Sequence, residues 1–354
     1  MNDLETVAQL LNDNPTSEDR DLVPRNYLFA SELGKSDIDV YLSMNAVAYS
    51  NSPGVRARGK FSMGNFFEGA IQNAFRRLGL LVELSPDEKR VRGQIHGLID
   101  VSGKIDILLN GTKTPEDLKR IKAETERKLS LLIYDDPFIE EELKITIRII
   151  EGFLAQRKTI SFSNQILEIK SSSLMGFSGI IENNTPHDSH GMQAGFYARY
   201  NKKWNQKSAI ILYMCKDDAR FQLFEISGSK NDKYQKMLME SWKRKSKNYL
   251  DKKQPEKEPL IVVENGKFKL NFNVMYSNYL TMLYGFKHQE EYREAYSGKI
   301  GSWNRVITRM AKEEKMTKSN EEYIKEMEEM GYHPEKIAYQ LQKILKSKIE
   351  EEIL

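Results

Sequence analysis

Glu168 and Lys170 stand two residues apart in "ILEIKSSS" (166–173), a run that reads as a buried strand. Residues i and i+2 of a strand face the same way, so the carboxylate and the amine share one face while Leu167 and Ile169 take the other. Taken alone, such a pair also describes an ordinary solvated strand face. As chemistry it suits hydrolysis, because a hard divalent cation such as Mg²⁺ or Mn²⁺ takes one or two carboxylates plus waters and substrate phosphate. A second carboxylate is then expected on a neighbouring strand. Asp106 in "SGKIDILL" supplies one, within a run of Ile and Leu where a carboxylate is costly to bury unless paired or metal-bound. Gln193 and Tyr197, four residues apart, share one helix face, with His190 one turn earlier.

These residues need elements to position them. "SMGNFFEGAIQNAFRRLGL" predicts an amphipathic helix with Phe67, Ile71, Ala74, Phe75 and Leu78 on one face, ended by Gly79. Before it, "FASELGKSDIDVYLSMNAVAYSN" predicts helical turns opened by Ser31 as N-cap with Glu32 in the first turn, and "NSPGVRARGK" a loop. Residues 4–12 suggest a short helix, and "NDNPTSEDRD" a loop. Two strands follow within 89–111, with Ser102-Gly103 expected as their turn. Residues 115–157 read as two charged helices broken near Asp135-Asp136-Pro137. After the Glu168 strand come a helix ("DSHGMQAGFYARYNKKW"), a strand pair ("SAIILYMCK", "RFQLFEIS") and a basic helix over 232–253. "KQPEKEPL" is the best linker, and the rest is mostly helical. Its last helices, with Ile324, Met327, Met330, Ile337, Leu341 and Ile344 apolar, are expected to pack on their own domain. The order predicts an α/β (α+β) fold, a central mixed sheet flanked by helices, with an N-terminal helical region (1–60), a core (61–250) carrying a helical insertion (110–164), and a helical C-terminal region (251–354).

The 354 residues suffice for one large or two moderate domains, and 40% hydrophobic with 30% charged residues is a globular composition. A net charge of +3 gives no whole-molecule field towards a polyanion, so evidence for one must be local. Cys215 is the only cysteine, which excludes an internal disulfide, a CxxC zinc site and a four-cysteine iron–sulfur cluster. His96, His187 and His190 lack the spacing of a zinc site. No G-x-x-x-x-G-K-[ST] loop occurs, so no bound nucleotide is expected. No apolar run approaches a membrane span, and "MNDLETVAQLL" lacks the features of a signal peptide, so the expectation is a cytoplasmic protein without membrane partners.

G-x-x-D, then a strand bearing E-x-K, then a helix bearing Q-x-x-x-Y resembles the RecB-type branch of the PD-(D/E)XK nuclease superfamily. That branch includes nuclease domains of recombination helicases and CRISPR-associated exonucleases. The resemblance covers roughly 30–215 and extends to Ser31-x-Leu33-Gly34 and to the helix after Gly64, where Glu68 matches a His or Glu near the metal site. It implies a restriction-endonuclease-like core hydrolysing DNA. Asp106, Glu168 and the Ile169 carbonyl would ligate the metal. Lys170 would act on water and on the growing phosphorane charge, Glu68 would be a further ligand or support one, and Gln193 and Tyr197 would position Lys170 or the phosphate. A helicase or recombination protein is the partner class this implies.

The chain departs from that pattern. Iron–sulfur cysteines are absent, some sixty residues separate Asp106 from Glu168, and "IHGLIDV" offers Asp100 as an alternative register. Asp106 is preferred because "ILLNG" continues as a strand. Basic clusters with aromatic neighbours supply candidate nucleic-acid contacts: Arg56, Arg58 and Lys60; Lys202, Lys203 and Trp204; Trp242, Lys243 and Arg244. The insertion would either roof the cleft, favouring strand ends and single-stranded or flap DNA, or pack on the outer sheet face. Two other classes stay open: a nuclease-like fold kept for DNA binding or assembly, and a helical interaction protein with an accidental E-x-K.

Overall fold

The computed structural model describes residues 23–51, 55–131 and 136–353, the side chains of 55–61 and 348–353 excepted. The expected helix at 4–12, the loop after it, and Asp135 lie outside these residues. In chain order the elements are β1 (Tyr27–Phe29), a 3₁₀ turn (Ala30–Glu32), α1 (Asp37–Met44), α2 (Val55–Arg77), β2 (Arg90–Gly93), β3 (Asp100–Lys104), β4 (Ile107–Lys113), α3 (Pro115–Ser130) and α4 (Pro137–Ala155). They continue with β5 (Ile160–Ser172), α5 (Leu174–Asn183), α6 (Asp188–Tyr200), β6 (Ser208–Cys215), β7 (Phe221–Ser227) and α7 (Lys233–Leu250). Last come β8 (Ile261–Glu264), β9 (Lys267–Leu270), α8 (Phe272–Met275), α9 (Leu280–Tyr284), α10 (Gln289–Ala311), α11 (Lys318–Glu329) and α12 (Pro334–Ile353).

The chain forms two compact units. Among described residues one takes 23–35, 44–46 and 55–253, and the other 36–43, 47–51 and 254–353. The expected N-terminal region is therefore not a body of its own, since β1 pairs in parallel with β3 while α1 belongs to the second unit.

In the first unit a mixed sheet runs β4-β5-β6-β7, with β5 and β6 parallel and the outer pairs antiparallel. Alternation along β5 splits its side chains. Leu167 and Ile169 enter a core with Phe67, Ile71, Ala74, Phe75 and Leu78 of the second helix and its end, Leu118 and Ile121 of α3, and Ile145, Ile149 and Ile150 of α4. The other face is covered by α6, where Gly195 lies against Ile226 of β7 and Gln235 of α7. The result is a mixed α/β molecule with helices on both faces of the sheet. A smaller sheet, β1-β3-β2, packs on α6 as well: Gly103 of β3 lies under the Tyr197 ring, where a Cβ would come within 2.7 Å of it.

Several local expectations change. Ser102 and Gly103 lie inside β3 rather than at a turn; the chain breaks instead at Ile105–Asp106. Ser31 sits within the 3₁₀ turn and caps no helix, and Glu32 reaches back to accept from the Phe29 amide and from Arg25. Helix α2 begins at Val55, so more than half of the expected loop is helical and Gly64 does not initiate it. The insertion is a packing layer. Asp136 and Thr114 cap α4 and α3, Pro137 and Pro115 open them, and both helices bury their apolar stripes on the Leu167–Ile169 face, opposite Glu168 and Lys170. The roof over the acid–base strand is not formed.

The second unit is mostly helical with one hairpin, β8–β9. Phe268, Trp303, Val306, Ile307, Met327, Ile337 and Leu341 make its main core, and Ile38 and Leu42 of α1 pack with Tyr279 and Leu283 in a satellite cluster. No described helix is long and apolar enough to cross a membrane.

Candidate active site

The break between β3 and β4 sets the site. β4 stops pairing at Ile107, opposite Leu167, so the next amide of β5 that faces this edge, Ile169 N–H, has no strand residue to meet. Asp106 fills the gap: its Oδ2 accepts from Ile169 N at 2.7 Å. A backbone donor near the core needs such a partner, so Asp106 extends the ladder with its side chain. The Ile169 carbonyl points to the same edge, because the N–H and C=O of one strand residue share a side.

Glu168 is fully buried on the opposite face of β5 from Leu167. Its Oε1 accepts from Lys170 Nζ at 2.7 Å, and its Oε2 is buried without a hydrogen-bond partner. Burial, and then the Asp106 charge, hold the Glu168 carboxyl up to about 8. Asp106 is raised too, chiefly by burial and against the pull of Lys170 and the Ile169 amide. Burial alone would depress the Lys170 ammonium, but the charges of Glu168 and then Asp106 outweigh it and keep it protonated. Glu68, one turn beyond Gly64 on α2, accepts from Gln72 Nε2 at 3.1 Å. Its carboxyl is raised by burial and then by Asp106, so it faces the same centre.

Gln193 and Tyr197 do not reach Lys170. Gln193 Nε2 donates to Tyr197 OH (3.1 Å), which donates to the Lys104 carbonyl (2.8 Å). This buried relay holds the end of β3, and with it the turn that carries Asp106. Lys89, which sequence reasoning missed, secures the same turn by donating to the Asp106 carbonyl at 2.8 Å; nothing local in "DEKRV" marks it. His190 lies beneath the strand with Nδ1 2.7 Å from Tyr213 OH. Burial, then the nearby Lys170 and His187, lower its imidazole to about 3, so it is neutral. Asp100, the alternative register, is exposed at the start of β3 and accepts from Gln94. It takes no part in the site.

Among the described residues no group of three or more His, Cys, Asp or Glu is arranged to hold a metal ion. Asp106 and Glu168 are two buried carboxyls close enough for the Asp106 charge to act on Glu168. A pair of carboxylates, one with a buried unsatisfied oxygen, fits a hard divalent cation that keeps most of its waters.

The expected nucleic-acid contacts divide. Lys202, Lys203 and Trp204 line a pocket of about 480 Å³ with Arg90 and Arg92 of β2, which sequence reasoning also missed. Trp242 is fully buried among Phe196 and Tyr200, its Nε1 donating to the Ile99 carbonyl, so it is a core residue and no stacking platform. Lys243 and Arg244 beside it are exposed. The side chains of Arg56, Arg58 and Lys60 lie outside the described residues.

No family model and no curated protein matches the chain. Among solved structures, the crystal structure of SSO0001 covers 80% of this chain and 94% of its own, with a TM-score of 0.39 and 11% identity.

Proposed function

We propose that the chain is a metal-dependent nuclease of the PD-(D/E)XK type, hydrolysing phosphodiester bonds of DNA. The observation that carries this reading is the meeting of Asp106 and Glu168 at one edge of β5, with Glu168 Oε2 buried and unsatisfied and Lys170 held against Oε1. Asp106, Glu168 and the Ile169 carbonyl would hold Mg²⁺ or Mn²⁺, which supplies activation of water and neutralisation of the leaving oxygen. Lys170, positively charged and partly exposed, aims a cation at the space in front of Glu168, where it stabilises charge on a phosphate oxygen. Glu68 adds a carboxyl at the margin of that space. The Gln193–Tyr197 relay and Lys89 keep the Asp106 turn in place without touching substrate.

End-labelled linear DNA and closed circular single strands, each incubated with Mg²⁺, Mn²⁺ or chelator, test the reading. Cleavage is expected with metal alone and lost with chelator. Lys170→Met, which keeps the stem and removes the charge, should lower turnover about 10²-fold with folding intact. Cleavage that persists in chelator, or an unimpaired Lys170→Met enzyme, refutes the proposal.

A further inference from the structure

The pocket lined by Lys202, Lys203 and Trp204 combines three properties. It is concave, with a volume of about 480 Å³. Its walls carry four cations, Arg90, Arg92, Lys202 and Lys203, against the single carboxylate of Asp87. It also offers two aromatic rings, Tyr200 and the half-exposed Trp204. Arg90 reaches the Ser102 hydroxyl (3.3 Å) and Lys203 the Glu88 carbonyl (3.4 Å), and among the described residues none of the four cations makes an ion pair. Asp87 in the wall and Glu88, whose carboxyl is lowered in part by Lys203, offset only part of this charge, and the excess of cations raises the local potential and favours a polyanion.

The pocket is also built rather than incidental. The loop that presents Lys202, Lys203 and Trp204 is tied at both ends by the buried Asn201. Asn201 Nδ2 donates to the carbonyls of Ala198 (2.9 Å) and Gln206 (3.1 Å), and its Oδ1 accepts from Gln206 N (2.9 Å). Asn205 adopts φ +50°, a left-handed turn that Asn tolerates. Gln206 Nε2 in turn donates to the Trp204 carbonyl (3.4 Å). The opposite wall is the strand β2, paired along its length with β3.

Both walls adjoin residues that hold the Asp106 turn. Arg90 follows Lys89, which holds the Asp106 carbonyl, and Tyr200 lies one helical turn past Tyr197, which holds the Lys104 carbonyl. One turn is roughly 5 Å of helix. We infer that this pocket is a single-strand subsite, in which a base stacks on Trp204 while Arg90, Arg92, Lys202 and Lys203 hold the flanking phosphates, and from which the strand runs to Asp106 and Glu168. The inference rests on the nuclease reading for its direction, but the binding it asserts is independent of cleavage. Duplex DNA keeps its bases stacked on one another and cannot offer one to Trp204, so the pocket selects unpaired strand.

Binding of the full chain to a fluorescein-labelled dT₂₀ strand and to a blunt duplex of equal length, followed by anisotropy in chelator, tests this. Wild type should prefer the single strand. Arg92→Glu/Lys202→Glu should weaken strand binding at least tenfold and make the salt dependence shallower by about 0.7 in slope for each phosphate no longer held. Trp204→Ala should weaken it roughly 5- to 150-fold with the slope unchanged, the loss of one stacked base. Lys119→Glu/Lys230→Glu, which changes two exposed lysines elsewhere on the same unit, should lose clearly less than the pocket double variant. Equal losses in this control, unchanged binding in the pocket variants, no strand binding by wild type, or equal affinity for duplex would each overturn the subsite. Strand binding lost in the pocket variants, with no metal-dependent cleavage by wild type, would keep the subsite and remove the nuclease reading. Cleavage and binding both untouched by the pocket variants would do the reverse.

Discussion

At the scale of single residues, Asp106 Oδ2 completes the β5 ladder, and under the nuclease proposal the same carboxylate would also hold the metal. The two roles separate by substitution. Asp106→Asn keeps an acceptor for the Ile169 amide, so its melting temperature should stay near wild type while cleavage is lost. Asp106→Ala leaves a donor unmet, and should cost about 1–3 kcal/mol of stability besides. Equal stability in the two variants, by urea titration, would show that the Ile169 bond contributes nothing. His190 gives a second residue-scale expectation. Its imidazole is held near 3 when folded, against about 6.5 when unfolded, so between these values the unfolded chain binds a proton that the folded one does not. Stability from this group is present above pH 6.5 and drains away as pH falls towards 3, at up to about 1.4 kcal/mol per unit. His190→Gln should flatten the pH dependence of stability between pH 6.5 and 4; parallel curves for the two proteins would rule the effect out. At this scale the sequence showed types better than partners. Glu168, Lys170 and Asp106 were legible because charges in apolar runs stand out, although Asp106 lies in the break between β3 and β4 and not on a strand. Lys89, Arg90 and Arg92 were not, because their meaning comes from the turn and pocket they face, which a local run of charges does not encode.

At the scale of elements, the periodic faces were the legible part. Phe67, Ile71, Ala74, Phe75 and Leu78 are all buried as their spacing requires. What failed was punctuation that owes its identity to distant contacts. Gly103 looks like a turn residue, but it is glycine because the Tyr197 ring and Ala30 crowd its Cβ position. Trp242 looks basic and exposed beside Lys243 and Arg244; its own helical face, with Tyr234, Leu238 and Ser246, is buried. The insertion is the other case, for amphipathicity says that α3 and α4 bury a stripe but not on which side of the sheet. Because Leu118, Ile121, Ile145, Ile149 and Ile150 share the core with α2 and β5, replacing 114–158 by a Gly-Ser linker should unfold the first unit rather than merely relax its choice of substrate. A soluble deletion variant with a cooperative melt would contradict the packing described above.

At the scale of the whole chain, "KQPEKEPL" lies at the junction where the second unit resumes, but the sequence hid that unit's first piece, because nothing in "SDIDVYLS" says which core it joins. Ile38 and Leu42 are buried against Tyr279 and Leu283, and Asp39 accepts from Ser277. A fragment ending at 253 should therefore expose these two side chains, bind 1-anilinonaphthalene-8-sulfonate and aggregate, and Ile38→Ser/Leu42→Ser should restore its solubility. A monomeric, dye-silent fragment without those changes would count against the assignment of α1 to the second unit.

That early piece also has a consequence in time. Asp39 and its partner Ser277 are 238 residues apart, and Tyr279 meets Val47 across 232. At a synthesis rate of about 5–20 residues per second, α1 leaves the ribosome roughly 10 to 50 seconds before the residues that cover it exist. For that interval its apolar side is open to solvent, a natural landing place for a chaperone, and codon changes that slow translation between 60 and 280 would lengthen the exposure without altering a single side chain.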